Sequence, residues 1–236
     1  MQIRLDSFLS KNGISSRRKA KDLINQRKVS VNGKIVTEVL KVDPENDVIL
    51  VENQLVNPKD LKMRYIAFHK PINVLSTTKD EWGRKTVLDY VKVTEKVYPV
   101  GRLDYNSSGI LLLTNDGDFA LHLTHPRFNV PKKYIVKTVE VINPVQLKEM
   151  AAGVVIYDQI TLPCEIRQLG KREFEVTLHQ GLKRQIREMC KAVGLRVQDL
   201  VRVQIGNLAL GSLKPGEYRE LSTKEVAQLL HTDIGI

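Results

Sequence analysis

The chain has 236 residues, 42% of them hydrophobic, with 37 Lys and Arg against 27 Asp and Glu for a formal net charge of +10. Such a chain holds one large domain, or a large domain with a small companion. It offers neither a run of about 18 apolar residues to span a bilayer nor, in "MQIRLDSFLSKNG", the apolar segment of a secretory signal, so a soluble cytoplasmic protein that engages no membrane is expected. Cys164 and Cys190 are too few for a disulfide framework and read as small buried hydrophobes, while the positive excess points to a polyanionic partner, of which nucleic acid is the abundant cytoplasmic one.

In chain order, Leu5, Phe8 and Leu9 share one face of a first helix over about Arg4 to Lys11. From Lys11 to Lys34 a single acid, Asp22, stands against Lys11, Arg17, Arg18, Lys19, Lys21, Arg27, Lys28 and Lys34. Ser15 or Ser16 caps a second helix running to about Gln26, where Ala20, Leu23 and Ile24 make an apolar face and Arg17, Arg18 and Lys21 an adjoining basic ridge. "VSV-NG-KIV" then predicts a hairpin turned at Asn32-Gly33, a pair that accepts the positive φ angles of a two-residue turn. The pattern "RLDSFLSKNGISSRRKAKDLINQRKVSVNGKIV" resembles the S4 RNA-binding domain. That resemblance makes Arg17, Arg18, Lys21, Asn32 and Lys34 candidate RNA contacts. A solvated basic face on an amphipathic helix is the plain alternative for those charges, and the adjoining hairpin speaks against it.

Asn53 to Asp60, polar and containing Pro58, reads as a linker. The division expected is a first domain over 1–55, a linker over 56–62 and a second domain over 63–236. In the second, "RYIAFHKP", "NVLSTT" and "VYPVGRLD" read as strands, "TVLDYV" as a short helix, "SGILLLT" as a buried strand, "DFALHLT" as a helix and "KKYIVKTVEV" as an alternating strand. "NPVQLKEMAAG" predicts a helix, followed by strands near 154–157, 162–169 and 173–179, a helix over Arg184 to Ala192, a strand over Arg196 to Gln204 and a closing helix over Thr223 to Leu230. Strands outnumber helices without alternating with them one for one. The expectation is an α+β fold on a mixed, largely antiparallel sheet flanked by helices, and not a doubly wound one.

The stretch "GRLDYNSSG" sets one carboxylate, Asp104, between an arginine and a glycine turn. With Asp104 as the first position of a calcium loop, Asn106, Ser108 and Gly109 fall at positions three, five and six. Leu112 at position nine and Asn115 at position twelve, where a bidentate glutamate is needed, remove that reading. His122 and His125 have no partner pair nearby for a tetrahedral metal site, and neither a phosphate loop nor a G-x-G-x-x-G motif is present.

"GRLDYNSSGILLLTNDGD" resembles the central motif of the RsuA/RluB/RluE/RluF-type pseudouridine synthases. "HKPINVLSTT", "LTHPRFNVPKKYIVKT", "QGLKRQIREMC" and "LVRVQIGNLALGSLKPGEYREL" resemble the family's other motifs in order, over nearly the whole chain. The resemblance implies a small S4 domain ahead of a pseudouridine synthase domain that isomerises uridine within RNA, with no metal or organic cofactor. The bond from ribose C1′ to N1 is cut, the uracil turns, and C5 is joined to C1′. By the same resemblance Asp104 is the essential group, either a nucleophile on the sugar or a base at C2′. Arg187 is its basic partner, since an adjacent guanidinium favours and orients the carboxylate. Tyr134 is expected to stack on the uracil. Taken by residue type alone, Arg187 is a solvent-exposed helix charge and Tyr134 an aromatic at an alternating strand position. A stacked base reacts only after extrusion, so Arg102 is expected in the vacated stack or on a phosphate, with Lys132 and Arg184 as phosphate contacts. Asn73 departs from the family glycine, where asparagine suits a left-handed turn, and Glu188 departs from a second arginine. The C-terminal half most resembles the RluF-like members, which favours 23S ribosomal RNA, free or in a pre-ribosomal particle, as partner of a monomer. A 16S rRNA or a tRNA anticodon arm is the alternative target. A non-catalytic S4 ribosome-assembly factor would explain the charge but not Asp104, Tyr134 and Arg187 together, and a basic hydrolase would release uracil.

Overall fold

The chain divides into two units, Met1–Met63 and Arg64–Ile236, and the computed structural model describes residues 2–57 and 62–231. Residues 58–61 of the expected linker and 232–236 of the expected second domain lie outside the described residues.

The first unit runs β1 (Ile3–Arg4), α1 (Leu5–Lys11), α2 (Arg17–Asn25), β2 (Val29–Val31), β3 (Lys34–Ile35), β4 (Lys41–Val42), β5 (Ile49–Val51) and β6 (Gln54–Leu55). Helix α2 starts at Ser16, whose hydroxyl accepts the Lys19 N–H at 3.3 Å, a cap worth about 1 kcal/mol. Asn32 (φ 50°) and Gly33 (φ 79°) turn β2 into β3, and β3-β2-β5-β6 form an antiparallel sheet. Leu5, Phe8, Leu9, Ala20 and Ile24 pack into its core. A second two-residue turn, at Glu52 (φ 49°) and Asn53 (φ 65°), joins β5 to β6, and Val56 is buried in the same core. Residues 53–55 therefore belong to this sheet and not to a linker; their polar composition is that of a hairpin tip.

The second unit continues with β7 (Tyr65–Lys70), β8 (Tyr98–Val100), β9 (Ser108–Thr114), α3 (Gly117–Thr124), β10 (Lys132–Thr138), α4 (Pro144–Ala152), β11 (Val155–Ile156), β12 (Gln159–Ile160), β13 (Glu165–Gly170), β14 (Glu173–Leu178), α5 (Gln185–Ala192), β15 (Val197–Ile205), β16 (Leu208–Ala209), β17 (Tyr218–Glu220) and α6 (Thr223–Leu230). The sheet order is β13-β14-β10-β15-β9-β7-β17, with β16 beside β15 and β8 beside β9. Every pairing is antiparallel except β9 with β15, so the fold is α+β on a mixed, largely antiparallel sheet. Helices α4 and α5 cover the β14-β10 end through Leu147, Met150, Ile186 and Met189. Phe119 and Leu123 of α3 and Leu229 of α6 pack with Ala67, Ile110 and Leu112. The opposite side of β7 and β9 packs Ile66, Phe68, Leu111 and Leu113 against Val74, Val87, Val91 and Leu103.

"NVLSTT" is not a strand: Asn73 is left-handed at φ 62°, and only an isolated bridge joins Leu75 to Thr86. "TVLDYV" is a single 3-10 turn over Val87–Asp89. Both departures leave the 71–86 segment as a loop laid against the residues that precede β9.

Candidate active site

Strand β9 is buried from Gly109 to Thr114, and it meets β15 through only two pairs, Ser108 with Val201 and Gly109 with Arg202. Gly109 sits at φ +113°, and a Cβ there would overlap the Arg202 backbone, so the approach of these strands requires glycine. Directly before this contact lies the loop 101–107 that carries Asp104.

That loop is held from outside at three places. The Ser76 hydroxyl donates to Leu103 C=O at 2.8 Å and accepts Leu103 N–H at 3.0 Å, while the Leu103 side chain is buried in the core below. The Asn73 N–H bonds Tyr105 C=O at 2.7 Å. From α5, Arg187 Nη2 donates to Asn106 C=O at 2.8 Å and lies 3.4 Å from Ser107 Oγ. Ser107 N–H closes the turn onto Asp104 C=O at 3.1 Å. The residues on both sides of Asp104 are thus pinned, whereas no described residue donates a hydrogen bond to its half-buried carboxylate.

Cations gather around it. Lys70, the last residue of β7, is fully buried, and its ammonium donates to Pro71 C=O at 2.8 Å and Val74 C=O at 2.9 Å. Burial pushes it down to about 8, the charge of Asp104 opposes that shift, and Arg202 adds to it. Arg202 is 4% exposed; its Nε donates to Ile110 C=O at 2.8 Å and its buried Nη2 has no partner among the described residues. Burial and the neighbouring Arg184 charge lower Arg187, which Asp104 counteracts. The arrangement is one half-buried carboxylate, without a hydrogen-bond partner among the described residues, within electrostatic reach of two largely desolvated cations, Lys70 and Arg187, where charge interactions are stronger than in water.

Tyr134 lies on β10 opposite Arg202 of β15, next to a register shift, and packs half-buried against the core that contains Leu103. Arg187 comes to the Asp104 loop, but by bonding Asn106 and Ser107: no ion pair joins it to Asp104 among the described residues. The expected direct pairing is replaced in this structure by an indirect contact through the turn after Asp104, which engages Nη2 alone; the buried Nε of Arg187 has no partner among the described residues. Lys132 is half-buried: its ammonium bonds Val130 C=O at 2.8 Å, and burial, with Arg202 adding, pushes it down to about 8. Arg102 and Arg184 are exposed. In the first unit Arg18, Lys21 and Lys34 are exposed. The Asn32 side chain ties its turn to the segment before β5, donating to Asp47 at 2.8 Å and accepting Val48 N–H at 2.9 Å. Arg17 bonds the buried Asp6 carboxylate at 3.0 Å. Lys70, Ser76 and Arg202 were missed as site residues: Lys70 ends an apolar strand, Ser76 sits in an apparent strand, and Arg202 reads as one basic residue of a β-run. Among the described residues no three His, Cys, Asp or Glu side chains converge as a metal would require. His122 stacks on Phe128 with centroids 4.3 Å apart, and His125 accepts the Arg127 N–H.

A family model described as RNA pseudouridylate synthase matches residues 64–192, a span that contains the Asp104 loop, Tyr134 and Arg187. The chain belongs to the RNA pseudouridylate synthase family. An S4 domain model matches residues 3–49, so the synthase unit follows an S4 domain. Similar relatives include an uncharacterized RNA pseudouridine synthase of Aquifex aeolicus (strain VF5), 40% identical over 97% of this chain and 94% of that protein. The ribosomal large subunit pseudouridine synthase B of Bacillus subtilis (strain 168) is 37% identical over 96% of this chain and 95% of that protein. The dual-specificity RNA pseudouridine synthase RluF of Escherichia coli (strain K12) is also 37% identical, over 96% of this chain and 78% of that protein. A crystal structure of a pseudouridylate synthase matches at a TM-score of 0.71 and 28% identity, covering 96% of this chain and 99% of that one. The pseudouridylate synthase family thus accounts for the loop, the sheet beneath it and the first unit together.

Proposed function

We propose that this RNA pseudouridine synthase isomerises a uridine of ribosomal RNA, in the large subunit, with Asp104 as the group that acts on the ribose. The observation that carries this reading is the Asp104 carboxylate itself, pinned by the backbone on both sides yet free of hydrogen-bond partners among the described residues, and facing Lys70 and Arg187. A hydrolytic glycosidase commonly uses a second carboxylate to manage water. Here the uracil is both leaving group and returning nucleophile, so a single carboxylate suffices. The N1–C1′ bond breaks, the base rotates, C5 bonds C1′, and the C5 proton is lost while N1 gains one.

Tyr134, on the strand next to Arg202, stacks on the extruded uracil, and Arg187 holds the loop that carries the carboxylate. Arg102, exposed two residues before Asp104, enters the vacated stack. Arg184, with Arg18, Lys21 and Lys34 of the S4 domain, contacts RNA phosphates, and the protein acts in the cytoplasm as a monomer. The large-subunit target is supported by the name of the Bacillus subtilis relative. The dual specificity in the name of the Escherichia coli relative supports a second RNA as a further substrate.

The test is a map of pseudouridines in total rRNA and tRNA from a strain lacking the protein, complemented with wild type or Asp104→Asn. One or more large-subunit positions should depend on wild type and stay unmodified with the variant; equal modification by both would remove Asp104 from the reaction. Free uracil in the reaction would replace an isomerase by a hydrolase. Deuterium at C2′ gives a large primary isotope effect if Asp104 takes that proton, and only a small secondary one if it attacks C1′.

A further inference from the structure

The protein's single tryptophan, Trp82, is 83% exposed, at the tip of the loop between Leu75 and Thr86. Isolated surface hydrophobics are common, so exposure alone assigns nothing. Three further observations do. The tip is prebuilt around Asp80, whose carboxylate accepts the Trp82 N–H at 3.1 Å, the Arg84 N–H at 2.9 Å and the Arg84 guanidinium at 2.7 Å and 3.2 Å. The base of the loop is closed by Leu75 N–H on Lys85 C=O at 2.9 Å and Val87 N–H on Leu75 C=O at 3.1 Å, and Ser76 at that base is the residue that clamps Leu103, next to Asp104. Finally, Arg84 lies within electrostatic reach of Tyr105, itself 44% exposed, so a second open aromatic adjoins Asp104. Lys79 and Lys85 are exposed on the same loop, against one exposed unpaired acid, Glu81.

We propose that Trp82 is a stacking platform for an unpaired nucleobase of the substrate RNA, close to the uridine presented to Asp104. An open indole on a prebuilt loop beside cations recognises single-stranded RNA because every base has a face to stack on, with phosphates answered by the neighbouring charges. Prebuilding by Asp80 removes the ordering cost of the loop before RNA arrives. The assignment rests on the reading of Asp104 as the reacting group only for what lies beside the stacked base.

Because Trp82 is the sole tryptophan, its emission reports on this tip alone. Titrating the full-length protein at low salt with a ten-nucleotide oligoadenylate should quench that emission strongly, and a blunt RNA duplex of equal length, with no free base, should leave most of it. With a ribosomal RNA transcript, Trp82→Ala should lower kcat/KM about tenfold, within the range for one lost stack, with kcat at saturating RNA unchanged. Trp82→Phe should retain most of kcat/KM. The quench requires no chemistry and should persist in Asp104→Asn, so failure here is separable from failure of the Asp104 assignment. Equal quenching by duplex, unaltered kcat/KM in Trp82→Ala, or an emission change with protein concentration in the absence of RNA, which would make a second copy the occupant, would each overturn the proposal.

Discussion

Replacing Ser76 by alanine removes the two hydrogen bonds that fix the residue before Asp104 and leaves the Leu103 fold otherwise in place. Leu103 is 7% exposed, and its backbone N–H and C=O are both answered by the Ser76 hydroxyl. An unsatisfied buried backbone group costs about 1–3 kcal/mol, and partial entry of water at the loop brings the sum for the pair to about 2 kcal/mol. In a unit of this size that corresponds to a melting temperature lower by about 4–8 °C. The catalytic effect should be larger, because a displacement of about 1 Å at a reacting group costs on the order of 100-fold in rate. Single-turnover pseudouridine formation on saturating rRNA transcript, with melting followed by circular dichroism, reads both. Ser76→Thr keeps the hydroxyl and should recover most of the rate. If Ser76→Ala melts earlier but reacts within about twofold of wild type, the clamp stabilises the loop without positioning Asp104, and the reasoning fails.

Gly109→Ala should destabilise the synthase unit by about 3 kcal/mol or more, since its Cβ would meet the Arg202 backbone at φ +113°; a thermal melt like wild type would mean the β9–β15 contact is looser than described. Activity should fall as pH rises through about 8, where Lys70 loses the charge that faces Asp104, and a flat rate from pH 7 to about 9.5 would refute that role. Because the folded values of Lys70 and Lys132 lie below the ordinary 10.5, the unfolded chain binds more protons between those values. Their contribution to stability therefore increases from pH about 8 to 10.5. In the S4 domain, burial alone would raise Asp6, but hydrogen bonds from Arg4 and Arg17 and their charges outweigh it and hold its carboxyl below the usual 3.8. The stability it supplies is present above that pH and is lost as pH falls through the folded value. Asp6→Asn should cost about 2 kcal/mol at pH 7 and remove that acid dependence in chemical denaturation.

Local chemistry made several elements legible in the sequence. Ser16 as a cap, Asn32-Gly33 as a turn, the apolar "SGILLLT" and the start and end of α6 each carry their own signal within a few residues. The loop around Asp104 was legible only as a motif, because what holds it comes from far along the chain: Ser76 and Asn73 from one side, Arg187 from the other. Nothing in "NVLSTT" distinguishes a serine facing solvent in a strand from one closing on a backbone 27 residues away. The intramolecular partners of Lys132 and Arg17 carry no such signal: one ammonium bonds the Val130 carbonyl, and one guanidinium, still exposed, pairs with the buried Asp6 carboxylate. Asn53 was misread because a polar hairpin tip and a polar linker have the same composition.

The two residue pairs between β9 and β15 form a seam. On one side of it lie β7, β8, β9 and β17 with Asp104, Lys70 and Ser76; on the other lie β10, β13, β14, β15 and β16 with Tyr134, Lys132 and Arg202, and α5 with Arg187. Leu147, Met150, Phe174 and Met189 cluster on the second side alone, whereas Ile205 and Leu208 of β15 and β16 pack across the seam with Ala67, Ile110 and Leu112. Ser108 and Val201 are widely separated in sequence, and contacts of that span form late in folding because the intervening chain must first be closed. The carboxylate and the residues expected to meet the uracil are therefore brought face to face only by the closing of the seam, and Gly109 is the stitch that lets it close.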